Sequence, residues 1–400
     1  MRVNFLFLLM VMVVLSPLAI DIYLPSMPVM AQEFAVSAAE IQSTLVLFLF
    51  SMGVGQILIG PLADKFGRRP VALAGIGLYI LSSALAVFAL EFSWLQLARV
   101  LQGLAACATS IVVFSAVRDS FTAKDSAKIY SYLNGAICVI PALAPTLGGL
   151  LALQFGWRST FLFMMGYGLI ALLFVSRFFR ETKPSTTIVQ KGLYRWSQYR
   201  PVVSNGHFMF YATACMTGMA AIVCYVSYSP MWLIDHLGVS ELAFSGLFGL
   251  NAFVNALACF VAPLIIRRLG NRRSVIVSLT AMVFSGVCQV LAQWFGPQSG
   301  MAAAFSFMLP MMLLCIGFAL LLGPATTMAL AGFGERAGTA TAMLGFIQMS
   351  GASFLAGLVQ LSDLTAPFAV TLVMVSLATL LLVMMCFRGL NHWHQEQFAH

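Results

Sequence analysis

The sequence predicts an all-α integral membrane protein whose twelve transmembrane helices form two six-helix halves. Composition is the first reason. Of 400 residues, 61% are hydrophobic and only 8% are charged, and the mean hydropathy is +0.95. That leaves too little charge to clothe a water-soluble core, so lipid is the expected solvent. Apolar runs of roughly 20 residues, the length a helix needs to cross a bilayer, follow one another along the chain. A short charged segment also recurs at corresponding places in the two halves.

The spans are expected at 4–25, 41–63, 71–91, 94–117, 128–152, 159–179, 207–230, 243–266, 275–295, 301–330, 337–361 and 367–387. The first imitates a secretory leader, with Arg2 before an apolar run. That run extends from Phe5 to Ile20 and leads straight into Asp21-Ile-Tyr-Leu-Pro25, so a retained helix is expected. Twelve spans place both termini on one side. Nineteen basic residues fall on the side of Asp64, Arg158 alone falls on the other, and Arg99 lies within a span. This asymmetry predicts cytoplasmic termini in a multi-pass bacterial inner-membrane protein. The polar stretch 181–206 is the expected linker between halves 1–180 and 207–387, with a tail at 388–400.

The most telling segment is Gly60-Pro-Leu-Ala-Asp-Lys-Phe-Gly-Arg-Arg-Pro70. It reads as a tight turn between the second and third helices. Asp64 sits where it can pair with Arg68 and Arg69 or with a helix N-terminus, and Gly60 and Gly67 allow close approach. Such contacts suit a gate, whereas a plain positively charged turn would explain the arginines but not Asp64. Ala262-Pro-Leu-Ile-Ile-Arg-Arg-Leu-Gly-Asn-Arg-Arg273 echoes the segment about 203 residues later, with Gly270 standing for Gly67 and Arg267 for Asp64.

Two charged residues lie clearly inside spans. Asp21 is four residues before Pro25, and Arg99 is five residues after Trp94. Both are expected roughly 6–8 Å below the outer ends of their helices, where contact or a water bridge between them is feasible. Charges there are costly against lipid, so they should face a cavity or each other, and an acid so placed suits proton coupling. Gln102 and Gly103 lie one turn below Arg99; Gln102 could touch substrate or a neighbouring helix. In the fifth helix Asn134 is a cavity-lining candidate, and Pro141, Pro145, Gly148 and Gly149 imply a kinked, close-packed gating element. The second half offers only uncharged polar residues, among them Tyr225, Asn251 and Gln348 as substrate-lining candidates.

The eight cysteines fall in apolar runs without C-x-x-C spacing, so no metal or other cofactor is expected. His392, His394 and His400 read as a solvated tail. No basic patch interleaved with aromatics suggests nucleic acid. His207 and His236 do not converge with acids, which argues against an enzyme.

Together these motifs resemble the twelve-helix drug:proton antiporters of the major facilitator superfamily. Gly55-Gln56, Gly60 to Asp64, Gly67 to Pro70, Asp21 to Pro25, Arg118-Asp119, Gly156-Trp-Arg158 and Glu181-Thr-Lys-Pro184 are similar to the bicyclomycin/chloramphenicol resistance (Bcr/CflA) branch. The resemblance implies the major facilitator fold and proton-driven export of small lipophilic drugs by alternating access. It makes Arg99 the arginine of the fourth-helix motif, and Pro145, Gly148 and Gly149 the antiporter motif of helix five. Ala144 departs from that motif, which has glycine before its proline. A monomer in the lipid bilayer is expected. The alternative is a proton-coupled importer, or a metabolite or sugar exporter, on the same fold.

Overall fold

The computed structural model describes residues 3–184, 194, 196–362 and 364–394. Residues 185–193 and 195 of the expected linker lie outside them, as do residues 395–400 of the tail, with His400, and Arg2.

Among the described residues, twelve helices are long and apolar enough to cross a membrane. In order they are Phe5–Glu33, Ala38–Phe66, Arg68–Val87, Phe92–Ser120, Lys128–Phe155, Arg158–Phe178, Gly206–His236, Glu241–Leu269, Asn271–Phe295, Gly300–Leu330, Ala337–Gln360 and Ala366–Cys386. Each coincides with an expected span, and the main differences have local causes. The first span does not end at Pro25. It breaks after Asp21 and restarts as a 3-10 turn, Leu24–Ser26, and a helix, Met27–Glu33, with Pro25 and Pro28 in their opening positions. Proline lacks an N–H and has a preset φ, so it starts a helical segment as readily as it stops one. Asp21 is therefore twelve residues from the end of its span, while Arg99 is seven into its own.

The second and third spans are joined by Gly67 alone, at φ +103°. Gly270, at φ +77°, joins the eighth and ninth in the same way. The repeated segment is thus a one-residue corner made possible by glycine in a region L-residues avoid.

The chain forms two compact units, Met1–Tyr194 with Glu241–Ala252, and Arg195–Ser240 with Phe253–His400. Small residues set the helix spacing within each, as expected where packing must bind helices together in lipid. In the first, Gly103 packs on the Phe48 carbonyl and Ser51, Gly55 on Cys107, and Gly75 on Ala108. In the second, Gly286 meets Val375 and Gly218 meets Phe318 and Leu321.

The tail differs from expectation. His394 is fully buried rather than solvated, because the short helix Asn391–His394 folds back on the start of the seventh span, with Trp393 against Gly206.

Candidate functional site

The break in the first span organises the site. The Ile22 N–H still bonds to Leu18 at 3.2 Å, but the prolines that follow cannot continue the ladder. The Ile22 carbonyl is directed at Gly148 in the fifth span, where a Cβ would overlap it. Gly149 next door faces Ser245 and Pro25. Ser245 Oγ stands 3.0 Å from the Pro145 carbonyl and 2.8 Å from that of Glu241. The glycine pair therefore lets irregular backbone lie inside the bundle, where protein can surround its polar groups. Asp21, at the edge of this break, is only 4% exposed.

Arg99 is fully buried in the fourth span. Its Nη1 donates to Gln102 Oε1 at 2.5 Å and its Nε to the Thr44 carbonyl at 3.5 Å. The guanidinium lies 4.4 Å from the Tyr23 ring centroid and 4.5 Å from that of Phe48. Gln102 Nε2 in turn donates to Ser83 at 2.9 Å, and Tyr23 shares a 3.1 Å hydrogen bond with Thr44. Among the described residues no ion pair joins Arg99 to Asp21, so of the two arrangements foreseen, contact or a water bridge, direct pairing is not the one adopted. A planar, weakly hydrated guanidinium is satisfied instead by ring faces and neutral acceptors. Among the described residues its Nη2, also buried, has no hydrogen-bond partner.

At the Gly67 corner, Arg68 is 2% exposed and bridges two acids, Asp64 Oδ1 at 2.6 Å and Asp119 Oδ2 at 2.9 Å. The Glu181 carboxylate accepts the backbone N–H groups of Arg68 at 2.8 Å, Arg69 at 3.1 Å, Thr182 at 3.0 Å and Lys183 at 2.9 Å. It also fills the space beside Gly67. Burial raises the Glu181 pKa, but these four donors outweigh it and hold the group below the ordinary value of 4.5. Arg69 Nη2 reaches the Ser176 carbonyl at 2.8 Å. Gly60 lies inside the second helix with open space beside it, so close packing does not account for that glycine.

The remaining candidates are scattered. Asn134 is exposed on the fifth span and Asn251 is buried on the eighth. Tyr225 is buried, its hydroxyl 3.9 Å from Met308 Sδ. Gln348 is half-buried in a π-helical turn, Ile347–Gly351, a distortion that often marks functional positions. Pro141 lies within the same continuous helix as Pro145.

Residues 9–357 match the family described as the Major Facilitator Superfamily. The chain belongs to that superfamily. Among curated relatives, the multidrug resistance protein MdtL of Klebsiella pneumoniae subsp. pneumoniae is 29% identical over 95% of both chains. MdtL of Salmonella paratyphi A is 31% identical over 88% of this chain and 86% of its own. MdtL of Shewanella oneidensis is 29% identical over 84% of each. Among solved structures, a D-xylose-proton symporter superposes with a TM-score of 0.75 at 15% identity, covering 94% of this chain and 96% of its own. At that identity the likeness shows the fold alone. The chain is thus a twelve-span Major Facilitator Superfamily transporter.

Several residues of this superfamily member's site escaped sequence reasoning: Thr44 and Phe48 beside Arg99, Ser83 beside Gln102, and Ser245 beside Pro145. They are ordinary span residues brought in from other helices, and no local pattern marks them. Asp119 and Glu181 did carry a signal, since both lie in motifs resembling the antiporter branch.

Proposed function

We propose that this superfamily chain is a proton-coupled multidrug exporter of the bacterial inner membrane, with both termini cytoplasmic and a single chain as the transport unit. The observation that carries this reading is Asp21, the most deeply buried carboxylate among the described residues, set at a helix break packed on Gly148. An acid in such a position responds to protonation with a large change in its demand for partners. Kinship with proteins named for multidrug resistance supports the direction of transport.

In the cycle, a small lipophilic compound of the chloramphenicol type enters from the cytoplasm or inner leaflet. Alternating access exposes it outward, and protonation of Asp21 releases it. The proton then crosses inward, driven partly by a potential worth about 2.3 kcal/mol per charge per 100 mV. Arg99, held by Gln102 and the two rings, is the second member of the coupling pair. Asn134, Tyr225, Asn251 and Gln348 line the drug path. Pro141, Pro145, Gly148 and Gly149, with the Asp64–Arg68 corner, form the gating parts.

Drug uptake into inverted vesicles under an imposed pH gradient tests the reading. The wild type should accumulate drug only with the gradient, and Asp21→Asn should lose the dependence while still folding and binding. Gradient-independent uptake by the wild type, or full coupling in Asp21→Asn, overturns it. Raised drug tolerance on expression separates an exporter from an importer.

A further inference from the structure

The second unit carries the counterpart of the Gly67 corner, with a different electrical solution. At Gly67 the arginine meets carboxylates. At Gly270 Arg272 meets a histidine, with its Nη2 3.4 Å from His394 Nδ1. An arginine is always a donor, so Nδ1 must accept, which requires a neutral imidazole with its proton on Nε2. Among the described residues that buried Nε2 has no hydrogen-bond partner, and neither has Arg272 Nε. The rest of the dock is specific. The Tyr211 hydroxyl donates to the His394 carbonyl at 2.6 Å, Phe210 and His394 rings are 6.0 Å apart, and the Trp393 indole fills the space beside Gly206.

We propose that the helix Asn391–His394 is a proton-released latch on the Gly270 corner. A proton on Nδ1 removes the acceptor Arg272 uses and sets a second positive charge against it. Among the described residues, the titratable or charged groups facing His394 are Arg272 from the ninth span, His207 and Tyr211 from the seventh, and His392 on its own helix. None is an acid that could compensate. Burial first and Arg272 second hold the imidazole below its ordinary value of 6.5; a backbone hydrogen bond opposes them, and His207 and His392 add smaller downward contributions.

The sign follows from linkage. A base whose pKa is depressed on docking keeps the dock intact above the free value of 6.5 and loses it as the pH falls below that. The docking constant drops about tenfold per pH unit until the docked pKa is reached. Which compartment's acidity is sensed rests on the orientation proposed above; the release itself does not.

Amide exchange of the full chain in lipid nanodiscs tests this, with exposure times scaled for the intrinsic pH effect. Peptides covering 206–212 and 387–394 should lose protection, by up to about tenfold, as the pH falls from about 7.5 to 5.5. His394→Gln, neutral throughout, should remain protected at both. If His394→Gln is already unprotected at the higher pH, Arg272→Gln decides, because without the second charge the loss should be smaller than in the wild type. Equal wild-type protection at both pH values, or an undiminished loss in either docked variant, overturns the proposal.

Discussion

The backbone carbonyl of Ile22 occupies the space that any side chain at Gly148 would need. The first span is broken at this point, and the fifth accepts the break because it presents only hydrogen there. Gly148→Ala should therefore force the two spans apart, at a cost of about 1–3 kcal/mol for overpacking. A lowered thermal unfolding midpoint would check this. Gly60→Ala is the control. With open space beside it inside a helix, it should be neutral or stabilising by up to about 1 kcal/mol through helix propensity.

Glu181 ties the chain beyond the sixth span to the Gly67 corner through four backbone donors. Its depressed pKa means that this anchor is fully present above 4.5 and is lost as the pH falls from there through the folded value. Glu181→Gln should weaken the anchor at neutral pH. The stability gap between wild type and Glu181→Gln should close on acidification below about 4.5, the ordinary glutamate value. Thermal unfolding of both proteins across that range measures it. A gap that stays constant with pH would mean that the carboxylate's charge plays no part.

Arg68 makes two ion pairs from one buried guanidinium, and Asp119 is itself 7% exposed. Arg68→Ala leaves that carboxylate with only the longer contact to Arg118 Nε at 3.6 Å, so the loss should approach but not exceed the about 3–5 kcal/mol of a fully orphaned buried charge. Adding Asp119→Asn should recover part of it, because the cost comes from the stranded charge. Arg68→Lys should fall between, since an ammonium cannot reproduce the planar fork that reaches two acids. Chemical unfolding of the three variants ranks them.

Much of the fold was legible because its signals are local. Apolar runs of span length and a sparse set of charges located all twelve helices, and the glycine corners at Gly67 and Gly270 were visible from their repeat. Asp21 and Arg99 stood out as charges inside apolar runs. Most of their surroundings did not, because Phe48 reaches Arg99, and Ser83 reaches Gln102, from two other spans. Pro25 misled, since a proline reads equally as the end of one helix and the start of another, and only the structure shows Met27–Glu33 beyond it. His394 misled for a related reason. A short polar tail reads as solvated unless the glycine that receives its tryptophan, Gly206, is known to be nearby.

Gln102 offers the sharpest choice between two roles. Its amide is fully buried and used at both ends, accepting from Arg99 and donating to Ser83. Gln102→Leu keeps much of the volume but removes the acceptor of a charged donor, a loss of about 1.5–3 kcal/mol for hydrogen bonds of that kind. If its role is to hold Arg99, the unfolding midpoint should fall and the pH profile of drug efflux should shift equally for every drug. Gln102→Glu should restore the acceptor and part of the stability without restoring the donor to Ser83. If Gln102 contacts drug instead, the substitutions should alter relative affinities among drugs and leave the pH profile in place. Efflux assays of two chemically unlike drugs across pH, in the same membranes, distinguish these outcomes.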